Sequence, residues 1–146
     1  MRVVEKSIDV NAPIGIAYSQ WSRFENLPKF MRGVVGVTRL DDERMVWRVE
    51  VGGRIEEQEI EIVGMIPCES IAWRSTSGAT SSWLVDFERL EPNRTRVVLH
   101  RSYDPEDAVG NTGDSTAASS SRLLFHDVAS ARIQADLQRF KEFIES

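Results

Sequence analysis

Arg101 is the residue whose placement most calls for a chemical explanation. In the run Val97, Leu99, Arg101, Tyr103 every second residue falls on one side of a strand, which sets a guanidinium among apolar neighbours. Taking an unpaired guanidinium out of water is costly, so Arg101 needs a protein partner or a polar ligand. Its five donors suit a carboxylate, phenolate or enolate carried by a mostly apolar molecule. The plainer alternative is an arginine at a cavity mouth that reaches water or pairs with Asp104 or Glu106. His126 is the second candidate, because it falls in an apolar series of helical spacing. An imidazole there, with an ordinary pKa of about 6.5, is suited to general acid or base work. Its alternative is a histidine near the mouth or hydrogen-bonded in the core. Tyr103 shares the side of Arg101 and joins these two as a tentative catalytic group.

The candidate ligand-binding wall is larger. Trp47, Trp73, Trp83 and Phe87 fall on inferred inner strand faces and offer rings to a flat molecule, although an ordinary core uses the same residues. Ser75 shares the side of Trp73. Gln58, Ile60 and Ile62 alternate with Glu57, Glu59 and Glu61, and three carboxylates are far cheaper in water than inside, so Gln58 points inward. With Arg101, Tyr103 and His126 these residues make up the expected ligand site. Arg74 belongs to the outer surface, opposite Glu59 or Glu61, and His100 faces away from the pocket.

Several function classes are disfavoured. Two histidines and the single Cys68 give no metal-ligand spacing, and no serine triad, phosphate-binding glycine loop or nucleotide fingerprint occurs, so neither metal nor cofactor is expected. A net charge of -5 argues against nucleic acid as a partner. One cysteine allows no internal disulfide and fits a reducing compartment. The amino terminus carries charges at Arg2, Glu5 and Lys6 and has no apolar run long enough for a signal or a membrane span. The expected setting is the cytoplasm, with a lipophilic small molecule as partner and no membrane insertion.

These groups must be positioned by a small set of elements. A length of 146 residues with 41% hydrophobic content fits one domain, 1-146. Alternation up to Val10 predicts a first strand, stopped by Asn11-Ala12-Pro13, a helix-start signal. Ile14, Ala17, Tyr18 and Trp21 repeat at helical spacing, and the ring-rich stretch from Ser22 to Met31, interrupted by Pro28, predicts a second short helix or turn. Roughly six further strands follow at hairpin spacing. They are separated by Asp41-Asp42-Glu43, Gly52-Gly53, Pro67-Cys68-Glu69, a Ser77–Thr80 loop and Glu91-Pro92-Asn93. From Asp104 to Ser121 periodicity is lost, which predicts a surface loop. His126, Ala129, Ile133, Leu137, Phe140 and Ile144 then mark one face of a long closing helix, capped by one of Ser119, Ser120 or Ser121. The fold class is α+β: a curved antiparallel sheet of about seven strands wrapped around a long C-terminal helix, with two short helices after strand one.

With that order the chain resembles the START-like (SRPBCC) superfamily with the helix-grip fold, in particular bacterial polyketide cyclase/dehydrase-type proteins. The resemblance is carried by Val10-Asn11-Ala12-Pro13, by Trp21 with Phe24 to Phe30, by Ile71-Ala72-Trp73-Arg74-Ser75, and by Asp136-Leu137 through Phe143-Ile144. It implies binding of an apolar or amphipathic molecule between sheet and helix, and only some members of the family are enzymes. The first expectation is therefore a binding module for a lipophilic small molecule, with aromatic and polyketide-like molecules inside that class. The second is a cyclase/dehydratase-type enzyme in which Arg101, with His126 or Tyr103, steadies an enolate and moves protons. The third is an interaction module for a protein or a quinone-bearing complex.

Overall fold

A computed structural model describes residues 2–51, 53–76, 81–103 and 131–145. Strand β1 (Arg2–Val10) is followed by helix α1 (Ile14–Ser22) and a 3-10 helix (Phe24–Lys29). Six strands come next: β2 (Val34–Arg39), β3 (Arg44–Val51), β4 (Arg54–Ile66), β5 (Ser70–Ser75), β6 (Ser81–Glu91) and β7 (Arg94–Tyr103). Residues 131–145 form the closing helix, α2. All strands join one seven-stranded antiparallel sheet in the order β1-β7-β6-β5-β4-β3-β2. Residues 104–130, on which the expected surface loop and the expected start of the closing helix fall, and the Ser77–Thr80 loop lie outside the described residues.

Local chemistry explains the elements. In β3, Met45, Trp47 and Val49 are buried while Arg44, Arg48 and Glu50 are exposed, so the period of two selects one inner face. Asp41 builds the preceding turn by accepting from the Glu43 and Arg44 N–H groups at 2.8 Å each. Gly53 turns the β3–β4 hairpin at φ +80°, a left-handed conformation that favours glycine. Proline at position 13 opens α1 without a side-chain cap, and its carbonyl accepts from Ile16 and Ala17 at 3.0 Å. Pro28 sits inside the segment that breaks from α-helix to a 3-10 turn.

A chain of rings fills the space between the sheet and the helices. Phe30 packs on Phe140, Phe140 on Trp21 and Trp21 on Trp73, with centroids 5.0, 5.3 and 6.5 Å apart. Trp73 in turn meets Trp47 at 5.9 Å and stacks on Trp83 at 6.3 Å. With Phe24, which meets Trp73 edge-on at 6.1 Å, the cluster joins α1, the 3-10 helix, β3, β5, β6 and α2. The indole N–H groups of Trp21, Trp47 and Trp73 are buried without an acceptor among the described residues, so their apolar contacts must offset that loss.

Helix α2 is fastened at two points. Near its end, Lys141 Nζ donates to the Asp9 carbonyl at 3.1 Å and to Glu145 at 2.6 Å, while Glu145 accepts the Asn11 N–H at 2.8 Å. Nearer its start, Asp136 accepts the Arg32 N–H at 3.3 Å and pairs with Arg139, whose Nε donates to the Phe30 carbonyl at 3.2 Å. Ile133, Leu137 and Phe140 point into the core, as the apolar spacing predicts. Among the described residues no helix is long and apolar enough to cross a membrane.

Candidate functional site

Register fixes the walls of the cavity under α2. Trp47 stands opposite Gln58 across β3 and β4, and Trp83 opposite Arg101 across β6 and β7. These four side chains line a cavity of about 120 Å³ together with Leu99, Val49, Met31 and Val34, and α2 closes it with Arg132, Ile133 and Asp136. That volume approaches the ~150 Å³ of a cavity known to hold a benzene-sized molecule. It is a space for about one ring, on walls that are mostly apolar.

Arg101 and Gln58 supply polar groups from the sheet. The Arg101 guanidinium lies over the Trp83 ring, 5.5 Å from its centroid, so a cation is held against an apolar wall. Asp136 supplies a carboxyl from the helix. It is 4% exposed, and burial pushes its pKa up from the ordinary aspartate value, opposed by the Arg32 N–H and by Arg139 and Arg132. The site therefore combines an arginine, an amide and a buried acid around a ring-sized void. Among the described residues no group of histidine, cysteine, aspartate and glutamate is disposed to hold a metal.

The structure brings some of the expected residues together and separates others. Trp47, Gln58, Trp83 and Arg101 share the cavity. Trp73 is fully buried in the ring cluster behind it, beside Trp47 and Trp83. Phe87 lies further along β6, where the Tyr18 ring of α1 meets it edge-on at 5.5 Å. Ser75 ends β5 opposite Ile60 and is half-buried. The Tyr103 side chain and the whole of His126 lie outside the described residues. On the outer face, His100 Nε2 lies 3.0 Å from Asp86 Oδ2, and Arg74 pairs with Glu61 at 3.4 Å.

Asp136 was not among the expected site residues, although the spacing contained it. It lies three positions after Ile133 and four before Phe140, inside the apolar stripe. Glu50 and Arg132, also unexpected, stand at the edge of the cavity.

Similarity to known proteins agrees with this geometry. Residues 10–126 match the family model described as polyketide cyclase / dehydrase and lipid transport. A Streptomyces lincolnensis protein described as an uncharacterized 17.2 kDa protein is 36% identical over 146 residues, covering 99% of this chain and 91% of that one. The Zhui aromatase/cyclase from Streptomyces sp. R1128 superposes with a TM-score of 0.78 at 19% identity, over 99% of this chain and 93% of that one. A START superfamily protein from Mycobacterium smegmatis superposes with a TM-score of 0.67 at 14% identity, over 92% of this chain and 97% of that one. The sheet wrapped on its closing helix and the ring-lined cavity accord with the family match, which establishes that the chain belongs to the polyketide cyclase/dehydrase and lipid transport family.

Proposed function

We propose that residues 1-146 form a single START-like ligand-binding domain that holds a lipophilic small molecule, aromatic or polyketide-like in kind, between the sheet and α2 in the cytoplasm. The observation that carries this reading is the ring-sized cavity in which Arg101, backed by Trp83, faces mostly apolar walls. An apolar wall contributes affinity, and a few placed polar groups fix orientation. Arg101 and Gln58 then address an oxygen of the ligand, while Trp47 and Trp83 contact its ring. Tyr103 and His126 remain part of the proposed site from their places in the sequence, and Trp73, Ser75 and Phe87 support it from behind or beside the void.

Native mass spectrometry of protein purified from its own host tests the reading. The expected result is a retained molecule of lipophilic character, bound at least tenfold more weakly by Arg101→Leu. That factor corresponds to the ~1.5–3 kcal/mol of a charge-assisted hydrogen bond. A protein that retains nothing and takes up no small aromatic compound would sink the proposal.

Asp136 favours a second reading, an enzyme of the cyclase/dehydratase type. A buried acid whose proton is held more tightly than usual shares the cavity with a fixed cation. That pairing suits proton transfer by the carboxyl and stabilisation of an enolate by the guanidinium. Asp136→Asn should then keep affinity for the retained molecule and lose turnover of its precursor; equal turnover rejects the catalytic role.

A further inference from the structure

The cavity is too small to enclose a long amphipathic molecule, and its edge leads to a more polar space. Gly33, Glu50 and Arg132 line both the cavity and a neighbouring groove of about 500 Å³, whose other walls include Arg32 and Arg139. Gly33 is the sill between the two: a Cβ built on it would meet the Arg132 guanidinium at 3.7 Å. The chain carries a net charge of -5, yet this groove gathers three arginines against Glu50. Arg139 is committed to Asp136 and to the Phe30 carbonyl. The Arg32 and Arg132 guanidinium groups are exposed and make no hydrogen bond or ion pair with another described residue.

From this we infer that the groove beyond Gly33 is an anion subsite, in which Arg32 and Arg132 bind the carboxylate or phosphate of a ligand whose apolar end fills the cavity. The inference rests on the ligand-binding reading above and narrows it to anionic amphiphiles. Arg139, anchored through Asp136, forms the fixed side of the subsite. Exposed guanidinium groups can close on an anion as two parallel N–H donors each, which suits either head group. Glu50 opposes the anion, so the attraction comes from the arginines acting together.

Calorimetric titration with a matched series separates the parts: 6-phenylhexanol, 6-phenylhexanoate and 6-phenylhexyl phosphate. Binding of the alcohol reports on the cavity alone, and the extra affinity of the anions reports on the groove. Both anions should bind at least tenfold more tightly than the alcohol at low salt, and the larger gain identifies the head group. The double variant Arg32→Gln, Arg132→Gln should reduce the gain below twofold and change the affinity for the alcohol by less than twofold. The inference is overturned if the alcohol binds but the anions gain nothing. It is equally overturned if the gain survives in the double variant, or disappears in Arg101→Leu alone. Absence of binding by all three compounds overturns the cavity reading as well.

Discussion

Replacing Asp136 with asparagine and with alanine should give two different outcomes. Alanine removes the acceptor of the 3.3 Å bond from the Arg32 N–H and the partner of Arg139, which keeps only its bond to the Phe30 carbonyl. A hydrogen bond to a charged group contributes ~1.5–3 kcal/mol, so Asp136→Ala should cost about 2–3 kcal/mol. In a domain of this size each kcal/mol lowers Tm by roughly 2–4 °C, which puts the loss at about 4–12 °C. Asparagine keeps an oxygen for the Arg32 N–H and removes the buried charge, so its cost should stay within about 1 kcal/mol. The pH dependence is the sharper test. Burial raises the Asp136 pKa above its ordinary 3.8, so the folded chain holds this proton more tightly than the unfolded one. The resulting contribution to stability is greatest in acid, falls as pH rises from about the ordinary value through the folded one, and then levels off. Asp9, Asp41 and Glu145 have lowered pKa values and act in the opposite sense, losing their contribution as pH falls. Subtracting the asparagine variant from wild type removes that shared background. Urea unfolding followed by circular dichroism at several pH values should show wild type losing ground to Asp136→Asn as pH rises above the ordinary aspartate value of 3.8. Parallel profiles would refute the argument that burial dominates at this carboxyl, and an asparagine variant as damaged as alanine would show that the charge itself holds α2.

Two further outcomes follow from the packing. Trp73→Ala should cost about 3–5 kcal/mol, whereas Trp73→Phe should cost less than about 2 kcal/mol, because it also removes an indole N–H that is buried without an acceptor. Chemical denaturation measures both, and equal losses would contradict the N–H argument. Thr95→Val should cost about 1–2 kcal/mol by removing the buried 2.8 Å bond from Thr95 Oγ1 to the Ala12 carbonyl. Amide exchange at the start of α1 should quicken, and unchanged exchange would show that the bond does not secure that entry.

The parts of this fold that depend on short-range periodicity were legible in the sequence. Inner residues of β3, β6 and β7 alternate with polar ones because each strand has one wet side, and the same parity turns Arg101 inward. Parity cannot say which stretch of an inner face lies under a helix and which borders a void. Parity therefore sets Trp73, Ser75 and Phe87 on the same inner faces as Trp47 and Trp83, whereas the structure sets Phe87 edge-on against Tyr18 and Trp73 inside the ring cluster. Asp136 is hidden in the sequence for a different reason. A carboxylate on a helix reads as a solvated residue until its neighbours at three and four positions are counted, and the contacts that retain it come from Arg32 and Phe30, far away in sequence. The groove of Arg32 and Arg132 also has no linear signature, because it forms only where the start of β2 meets α2.

The sheet order also imposes a schedule on the chain as it is made. Strands β2 to β6 each pair with their immediate successor, so each hairpin can close as soon as its second strand emerges. Strand β1 has no such neighbour: its register runs from Val10 opposite Thr95 to Arg2 opposite Tyr103. Its edge must wait for nearly the whole sheet, and the last fastening, from Lys141 to the Asp9 carbonyl, must wait longer still. Strand β1 is thus made well before the strand that secures it, and the cavity is completed only when helix α2 arrives.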